Sequence, residues 1–407
     1  MNTLFKIAWR NLWRNKRRTF LTASAVIIAV ILVLFMRSMQ FGSYDMMIKA
    51  AVNQVGDFQI HNKGYWENQS IDEAFFADKN LVDSLKKIPE ITSIAPTINT
   101  YSLASYGKQT KGVLISGIDL KEENSKTNLS GKIIKGRYLN EIDNGIIIGD
   151  NLAKFYKIAL GDSLAFIGQG YQGMTAYGLF PVVGIFHLPS TQMNNQYIYM
   201  ELTNAQEFIC PYQPGILTGY SVFLKNSSQL KRVEKKLSKI TGKNYEVISW
   251  KTILASMLQF IKADNISGLV MAIFLYLVAA FGIFSTVLMM TMEKRKQYAV
   301  MVSIGMQRTK LIWVSVIETF IVSLVGIIIG LIIITPVLIY LNIHPIPITG
   351  DLQQAFMQFN IPPFLPFSLS ANIFIKQVLI ILGLSLLSVL YPIFYLAKFN
   401  VLNAFRR

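Results

Sequence analysis

Charged residues and cysteine are scarce in this sequence. Only 15% of the 407 residues are charged, whereas 52% are apolar, which is too apolar for an ordinary water-soluble protein. The chain has one cysteine, Cys210, so no disulfide forms within it, and we predict a small buried apolar side chain there. His61, His187 and His344 lack the spacing of metal ligands, and we therefore predict no metal site.

Sequence motifs for nucleotide binding and hydrolysis are also missing. Gly131-Lys132 and Gly242-Lys243 are not followed by Ser or Thr, so the chain has no P-loop for ATP. Nothing matches the G-x-S-x-G or H-E-x-x-H patterns of hydrolases. We therefore predict no catalytic residue and no cofactor bound by this chain.

Four stretches are long enough to cross a membrane and carry almost no charge. Residues 19–36, 265–292 and 377–397 have no charged side chain, and 311–341 has only Glu318. The first stretch has the length of a signal-peptide core, but 18 residues precede it and no small-x-small cleavage site follows it, so we predict a retained helix. The predicted transmembrane helices are 19–41, 265–292, 311–341 and 377–397.

The third predicted span contains two features of helix packing. Glu318 lies roughly 10 Å inside the cytoplasmic start of this span, at about 1.5 Å per residue. Its carboxylate either meets a Ser or Thr of a neighbouring span or extends to the membrane interface. Gly326-x-x-x-Gly330 predicts close approach of another helix. The spans are not laced with ionisable residues, as those of an ion-coupled carrier would be.

Basic residues are concentrated in the short segments between and beside the spans. Residues 1–18 contain six Lys or Arg and no acidic residue, and 293–310 contains five basic residues and one acidic residue. The positive-inside rule therefore places both termini, 293–310 and the tail 398–407 in the cytoplasm, with 42–264 and the loop 342–376 outside. The net charge of +16 thus reflects topology and does not indicate nucleic-acid binding.

Residues 1–18 have the period of an amphipathic helix. Phe5, Trp9, Leu12 and Trp13 share one face, and arginines occupy much of the rest, which is typical of a helix in the cytoplasmic membrane interface. The alternative is that the segment is simply the charged flank that orients the first span.

The long segment 42–264 combines strand and helix patterns. Stretches rich in Val, Ile, Phe and Tyr between Gly, Asp or Asn predict strands at 56–62, 111–118, 144–150, 162–168, 181–186, 196–202, 219–225 and 245–250. Helical patterns occupy 80–87, 151–156 and 228–240. The predicted fold is an α-helical membrane protein with four transmembrane helices and a large α+β extracytoplasmic domain inserted between helices 1 and 2.

Two helical stripes flank this domain. One continues the first span through residues 44–55, and the other leads into the second span through residues 250–261. They predict two stalk helices that pack together; the alternative is two separate surface helices of the domain.

One glycine-rich segment, 168–179, fits neither a strand nor a helix. It predicts a hairpin that exposes Tyr171, Met174 and Tyr177 to a periplasmic partner, or a plain hairpin without one.

The segment 293–310 is the best site for an energy-supplying partner. In this segment a basic turn is followed by an amphipathic helix, and the chain has no nucleotide site of its own. The predicted residues for coupling to an ATPase are Glu293, Lys294, Arg295, Lys296, Ser303, Gly305 and Met306.

Three stretches carry a family resemblance: IAWRNLWRNKRRTF, MEKRKQYAVMVSIGMQRTKLIWVSVIE and YPIFYLAKFNVLNAF. They resemble the permease subunits of ABC transporters that work on the periplasmic side, the family of MacB, FtsX and the LolC and LolE permeases. GDFQIHNKGYW and YQPGILTGYSVFLK resemble lipoprotein-release permeases in particular.

The resemblance implies a multi-pass subunit of the bacterial inner membrane. Two copies of a partner ATPase would bind ATP and Mg²⁺ and dock on 293–310, and the stalks would transmit their motion. A second permease copy or a sister permease, membrane lipid and a periplasmic lipoprotein carrier are the other implied partners. The implied activity is extraction of lipoproteins or a similar amphiphile; the alternatives are MacB-like efflux of small molecules or peptides and FtsX-like signalling to a cell-wall hydrolase.

Extracted acyl chains need an apolar surface as they leave the bilayer. The outer part of the first two spans and the stalks supplies the candidates for this contact: Phe41, Tyr44, Met47, Ile48, Met257, Leu258, Ile261 and Leu269. The alternative is that these residues only pack the stalks together.

Overall fold

The computed structural model describes residues 2–14, 16–142, 144–188, 191–226, 229–350, 353 and 363–398. Most of the predicted tail 398–407 and part of the predicted loop 342–376 lie outside these residues. The described helices are α1 (Asn2–Arg14), α2 (Lys16–Val55), α3 (Tyr65–Asn68), α4 (Lys79–Lys86), α5 (Leu120–Thr127), α6 (Asp150–Tyr156), α7 (Thr191–Gln196), α8 (Leu202–Ile209), α9 (Leu230–Thr241), α10 (Trp250–Ile253), α11 (Ala255–Glu293), α12 (Arg295–Ser303), α13 (Arg308–Ile343), α14 (Ala371–Leu387) and α15 (Leu390–Ala397).

Fourteen strands accompany them. These are β1 (Phe58–Asn62), β2 (Phe75–Phe76), β3 (Ile91–Tyr106), β4 (Gln109–Ile118), β5 (Ile133–Gly136), β6 (Ile146–Gly149), β7 (Ser163–Gln169), β8 (Thr175–Phe186), β9 (Tyr197–Glu201), β10 (Ile216–Leu217), β11 (Gly219–Leu224), β12 (Tyr245–Ser249), β13 (Ile346–Pro347) and β14 (Phe364–Leu365). Each of the eight predicted strands overlaps one of them.

By length and composition, four described helical segments can cross a membrane. They are Thr19–Val55, Ala255–Glu293, Arg308–Ile343 and Ala371–Ala397. The helices are longer than the predicted spans because helical hydrogen bonding continues past the apolar stretches. α2 runs unbroken through the predicted stalk to Val55, whereas the predicted stripe 250–261 is interrupted at Leu254, between α10 and α11.

The chain divides into two compact units. We call Met1–Asp45, Phe260–Pro347 and Phe364–Arg407 the helical unit, and Met46–Gln259 with Ile348–Pro363 the sheet unit. The helical unit contains most of the four long helices, and the sheet unit contains β1 to β12.

Helices of the helical unit approach closely where glycine allows it. An added Cβ on Gly326 would lie 2.8 Å from Cβ of Val26 and 3.0 Å from the carbonyl oxygen of Ala23, and one on Gly330 would lie 2.9 Å from Cβ of Val30. The predicted small-residue contact of the third span is therefore confirmed, and its partner is α2.

The sheet unit is built on one mixed ten-stranded sheet. Part of this sheet closes on itself, because pairing runs from β3 through β4, β9, β6, β8 and β7 back to β3. The inward-facing residues of this six-stranded ring include Ile115, Ile148 and Ile198, which are fully buried. Cys210 is buried in the same core, as predicted.

The longest strand, β3, is not among the predicted strands. Its buried positions include Thr100, Ser102 and Ala104, whereas Tyr101 and Leu103 are exposed. This reverses the usual pattern of apolar residues inside, because side chains in a small closed ring must be small where strands converge. The Ser102 hydroxyl is satisfied by donating to the carbonyl of Ile167 on β7, at 2.9 Å.

Candidate functional site

The segment between the second and third long helices is a short helix fixed on one side. α12 buries Tyr298 and Ala299, which pack with Leu311 of α13 and Leu396 of α15. Burial raises the pKa of the Tyr298 hydroxyl. One face of α12 is thus part of the helical unit.

The turn after α12 has the hydrogen bonds of a Schellman motif. The N–H of Met306 donates to the carbonyl of Met301, and that of Gly305 to the carbonyl of Val302. Gly305 has φ +96°, a conformation that costs glycine little and other residues much. Met306 is half-buried and packs against two apolar clusters, one that contains Val314 and one that contains Tyr298. Gly305 and Met306 therefore shape the turn.

The other face of α12 and its turn are exposed. Ile304 is 81% exposed at the turn, and Val300 is 46% exposed. Lys296 and Ser303, both predicted for coupling, are exposed beside them, while Glu293 and Arg295 are half-buried. Ile304 and Val300 are not among the predicted coupling residues; the sequence signal for Ile304 is an apolar residue next to glycine in a basic loop.

Lys294, in contrast, is not on this exposed face. It is only 4% exposed, and its Nζ donates to Oε2 of Glu318 at 2.5 Å. The other carboxylate oxygen, Oε1, accepts from Nδ2 of Asn11 at 2.7 Å. We call Asn11, Lys294 and Glu318 the Lys294–Glu318 cluster. Glu318 therefore has a lysine and an amide as partners, where we had expected a Ser, a Thr or the interface.

A second polar group of the helical unit joins α2 to α11. The Tyr44 hydroxyl donates to Oδ2 of Asp264 at 2.5 Å and accepts from Nε2 of Gln40 at 2.7 Å. Arg37 donates to Gln40 at 2.6 Å and to Asn265 at 3.2 Å. We call these five residues the Arg37–Asp264 cluster. Its signal in the sequence is a charged residue at the end of each uncharged stretch: Arg37 follows residues 19–36 and Asp264 precedes residues 265–292.

The candidate substrate-contact residues of the helical unit differ in exposure. Leu269 is 48% exposed. Phe41 is half-buried, with the Arg37 guanidinium 4.9 Å from its ring centre. Tyr44 is buried in the Arg37–Asp264 cluster, and Ile261 is half-buried.

The four candidates in the sheet unit also fall into two groups. Ile48 and Leu258 pack against the core of the sheet unit, which supports the packing alternative for these two. Met47 and Met257 are half-buried and, as unbranched side chains, suit contact with variable apolar groups.

The glycine-rich segment forms a β-hairpin, because Gln169 of β7 pairs with Thr175 of β8. Of the three large side chains predicted to be exposed, Tyr171 and Met174 are half-buried and Tyr177 is largely exposed. Tyr171 and Met174 pack against the core, since the turn folds back over Phe76, whose ring is 6.1 Å from that of Tyr171. Tyr177 is 78% exposed.

Tyr177 belongs to an exposed apolar row across three strands. Leu103 pairs with Ile167, and Ile167 pairs with Tyr177, so the three side chains share the outer face of the ring. Leu103 and Ile167 are both about half exposed. This row could not be predicted without β3, which supplies Leu103.

No group of three or more His, Cys, Asp or Glu that could hold a metal occurs in the part of the chain that the structure describes.

Two family models match the chain. The FtsX-like permease C-terminal model matches residues 269–401, and the MacB-like periplasmic core domain matches residues 19–240. The second match covers more than half of the chain. The chain therefore belongs to the MacB-like and FtsX-like family of ABC transporter permeases.

Relatives within this family are similar over most of their length. The lipoprotein-releasing system transmembrane protein LolC of Buchnera aphidicola subsp. Schizaphis graminum is 26% identical over 346 residues, which cover 82% of this chain and 80% of that protein. The corresponding protein LolE of Haemophilus influenzae is 23% identical, covering 79% of this chain and 78% of LolE. The periplasmic region of MacB from Actinobacillus actinomycetemcomitans aligns with 51% of this chain and 95% of its own at 16% identity and a TM-score of 0.35.

Proposed function

We propose that this chain is the membrane subunit of an ABC transporter that releases lipoproteins from the bacterial inner membrane. A separate ATPase, present in two copies, binds ATP and Mg²⁺ and supplies the energy. A second permease copy or a sister permease completes the membrane part. The sheet unit lies between the first and second spans on the periplasmic side, and both termini lie in the cytoplasm.

The observation that carries this proposal is the exposed face of α12 and its turn. Ile304 and Val300 present apolar surface beside the cation of Lys296. An exposed aliphatic side chain on a rigid turn is the kind of residue that fills a pocket of a partner. Because the opposite face of α12 packs on α13 and α15, a force applied at Ile304 reaches the long helices.

The substitution Ile304→Asp tests the ATPase partnership. A buried carboxylate without a partner disfavours docking, and loss of a central apolar contact of about 2 kcal/mol corresponds to roughly thirtyfold weaker association. The measurement is the amount of ATPase that co-purifies with the full chain in detergent. This residue is preferable to Gly305, since a side chain there also disrupts the turn.

Ile142→Asp is the matched control. Ile142 is 90% exposed in the sheet unit, so the same substitution there should leave co-purification unchanged. Equal recovery of the ATPase with wild-type and Ile304→Asp chains would rule out docking at this turn.

Lipoproteins are the proposed substrates because LolC and LolE, which are similar over about four fifths of this chain, are named for lipoprotein release. Leu269 and Met257 combine apolar character with accessible surface. Each buried CH₂ of an acyl chain contributes roughly 0.8 kcal/mol, so a polar side chain at these positions weakens the contact.

Leu269→Asn and Met257→Asn should therefore lower lipoprotein release from proteoliposomes several-fold while leaving basal ATP hydrolysis near the wild-type rate. Leu258→Asn is the comparison, because Leu258 packs on the sheet-unit core and its loss should lower both activities through instability. If Leu269→Asn and Met257→Asn release lipoproteins at the wild-type rate, these residues do not contact substrate.

A further inference from the structure

We infer that Glu318 and Lys294 are positioning residues that make α12 and α13 move together when the ATPase acts on the exposed turn. This inference rests on the proposed function and assigns it a route of transmission. The pair carries opposite charges and is buried: Lys294 is 4% exposed and Glu318 is 3% exposed. Neither the packing of the spans nor the exposed docking face requires such a pair.

Burying two charges costs free energy, so the ion pair is stable only when its geometry is favourable and its hydrogen-bonding positions are filled. Each charge loses its hydration, and the mutual attraction offsets this only when the remaining hydrogen-bonding positions are also filled. Here Oε2 of Glu318 accepts from Lys294 and Oε1 accepts from Asn11. A well-packed apolar pair of similar volume is often equally stable at such a site, so stability alone does not account for the choice of charges.

The cluster joins three segments at one point. Asn11 lies on α1, Lys294 lies at the junction of α11 and α12, and Glu318 lies on α13. Hydrogen bonds have preferred directions and lengths, whereas apolar contacts between helices allow sliding. The cluster therefore fixes the register of α12 and α1 on α13.

A second contact on the same faces prevents rotation about this point. Tyr298 follows Lys294 by one helical turn, is buried and packs with Leu311 of α13. An ion pair and a buried ring on successive turns define an orientation of α12 on α13. A displacement at Ile304 is then passed to α13 and is not absorbed by bending at the junction of α11 and α12.

Paired substitutions separate positioning from stability. In Lys294→Met the carboxylate of Glu318 loses its cation, so this single variant should assemble poorly. The double variant Lys294→Met with Glu318→Met should match the thermal stability of the wild type, but hydrolyse at least tenfold more ATP per lipoprotein released. The probe is a fluorescent triacylated lipoprotein in phosphatidylethanolamine–phosphatidylglycerol vesicles holding the permease and its co-purified ATPase.

The charge-reversed pair, Lys294→Glu with Glu318→Lys, restores an ion pair, and the Asn11 amide can present its oxygen to the new lysine. It should bring ATP consumption per release to within about threefold of the wild type. Lys243→Met removes one exposed cation of the sheet unit, outside the ATPase-docking segment, and should change nothing. An apolar double variant that couples normally, or a charge-reversed pair that couples no better than the apolar one, would overturn the inference.

Two further measurements cover failure of folding and failure of the proposed function. Asn11→Ala leaves the ion pair in place and should raise the ATP consumed per release about twofold; if the double variants do not fold, an unchanged ratio for Asn11→Ala overturns the inference.

Trypsin cleavage after Arg308 needs neither ATPase nor substrate. The apolar double variant should be cleaved about threefold faster than the wild type and the charge-reversed pair at the wild-type rate. Equal cleavage of all three counts against the cluster, whereas absence of any co-purified ATPase counts against the proposed function.

Discussion

The sheet unit and the helical unit use apolar residues for different purposes. In the sheet unit, isoleucines such as Ile115 and Ile198 are fully buried in the ring, where exclusion from water is the main stabilising term. In the helical unit, α11 exposes Met271, Phe274 and Val278 along its length, where lipid is as apolar as another helix. Apolar residues therefore form the core of the sheet unit, whereas in the helical unit they both pack between helices and cover the outer surface of the helices.

Specific contacts supplement the apolar packing between the helices. They include the close approach at Gly326 and Gly330, the Lys294–Glu318 cluster and the Arg37–Asp264 cluster. The sheet unit has its own glycine contact, since a Cβ on Gly117 of β4 would clash with Cβ of Ala205 on α8. Glycine substitutions thus compare the two units directly.

The largest effect is expected at Gly117→Ala. The added methyl group forces α8 away from β4 in a densely packed core, and overpacking of this kind costs about 2 to 3 kcal/mol. Hydrogen exchange of the β4 and α8 peptides in the full chain should accelerate accordingly. In the control Gly112→Ala, on the same strand, the new Cβ meets nothing within 4 Å, and an acceleration of equal size there would remove the packing explanation.

A smaller effect is expected at Gly326→Ala. The new Cβ meets side-chain and backbone atoms of α2 at 2.8 to 3.0 Å, and the helices can separate by a few tenths of an ångström in lipid. We expect a loss of about 1 kcal/mol, measured as a lower thermal midpoint in detergent. Gly383→Ala on α14 has open space around its Cβ and should be neutral or slightly stabilising. If its thermal midpoint is as low as that of Gly326→Ala, the loss at Gly326 does not come from its close contact with α2.

The smallest effect is a pH dependence of the sheet unit. Burial raises the pKa of Glu123 to about 7, above its usual value, although Lys132 acts against this. The folded state then binds this proton more tightly than the unfolded state, so stability falls as pH rises from the ordinary carboxyl pKa through about 7. Glu123→Gln should stabilise the chain by less than about 1 kcal/mol at pH 8, since the side chain is only half-buried.

That gain should disappear near pH 4.5, where the carboxyl group of Glu123 is protonated in the folded state and close to half protonated in the unfolded state. Equal stabilisation by Glu123→Gln at both pH values would mean that the carboxyl charge is not responsible.

The helices and most strands follow from local patterns. Long uncharged stretches predict the four spans because a bilayer requires a minimum apolar length. Short β-branched stretches between turn residues predict strands such as β6 and β9. The Schellman motif at Gly305 is equally local, although only the structure shows that Gly305 and Met306 shape the turn while Ile304 is its exposed residue.

The remaining features depend on residues that are distant in the chain. The buried face of β3 carries the polar residues Thr100 and Ser102, which face the interior of a closed ring. Closure of that ring depends on pairing with β7, about 65 residues away in the chain. Lys294 looks like a docking residue in the sequence, but the reversal of the chain between α12 and α13 buries it against Glu318. The sequence by itself thus determined which segments are helices, strands and spans, because those depend on nearest neighbours. Tertiary structure alone decided which polar groups are buried together, since that depends on which segments meet.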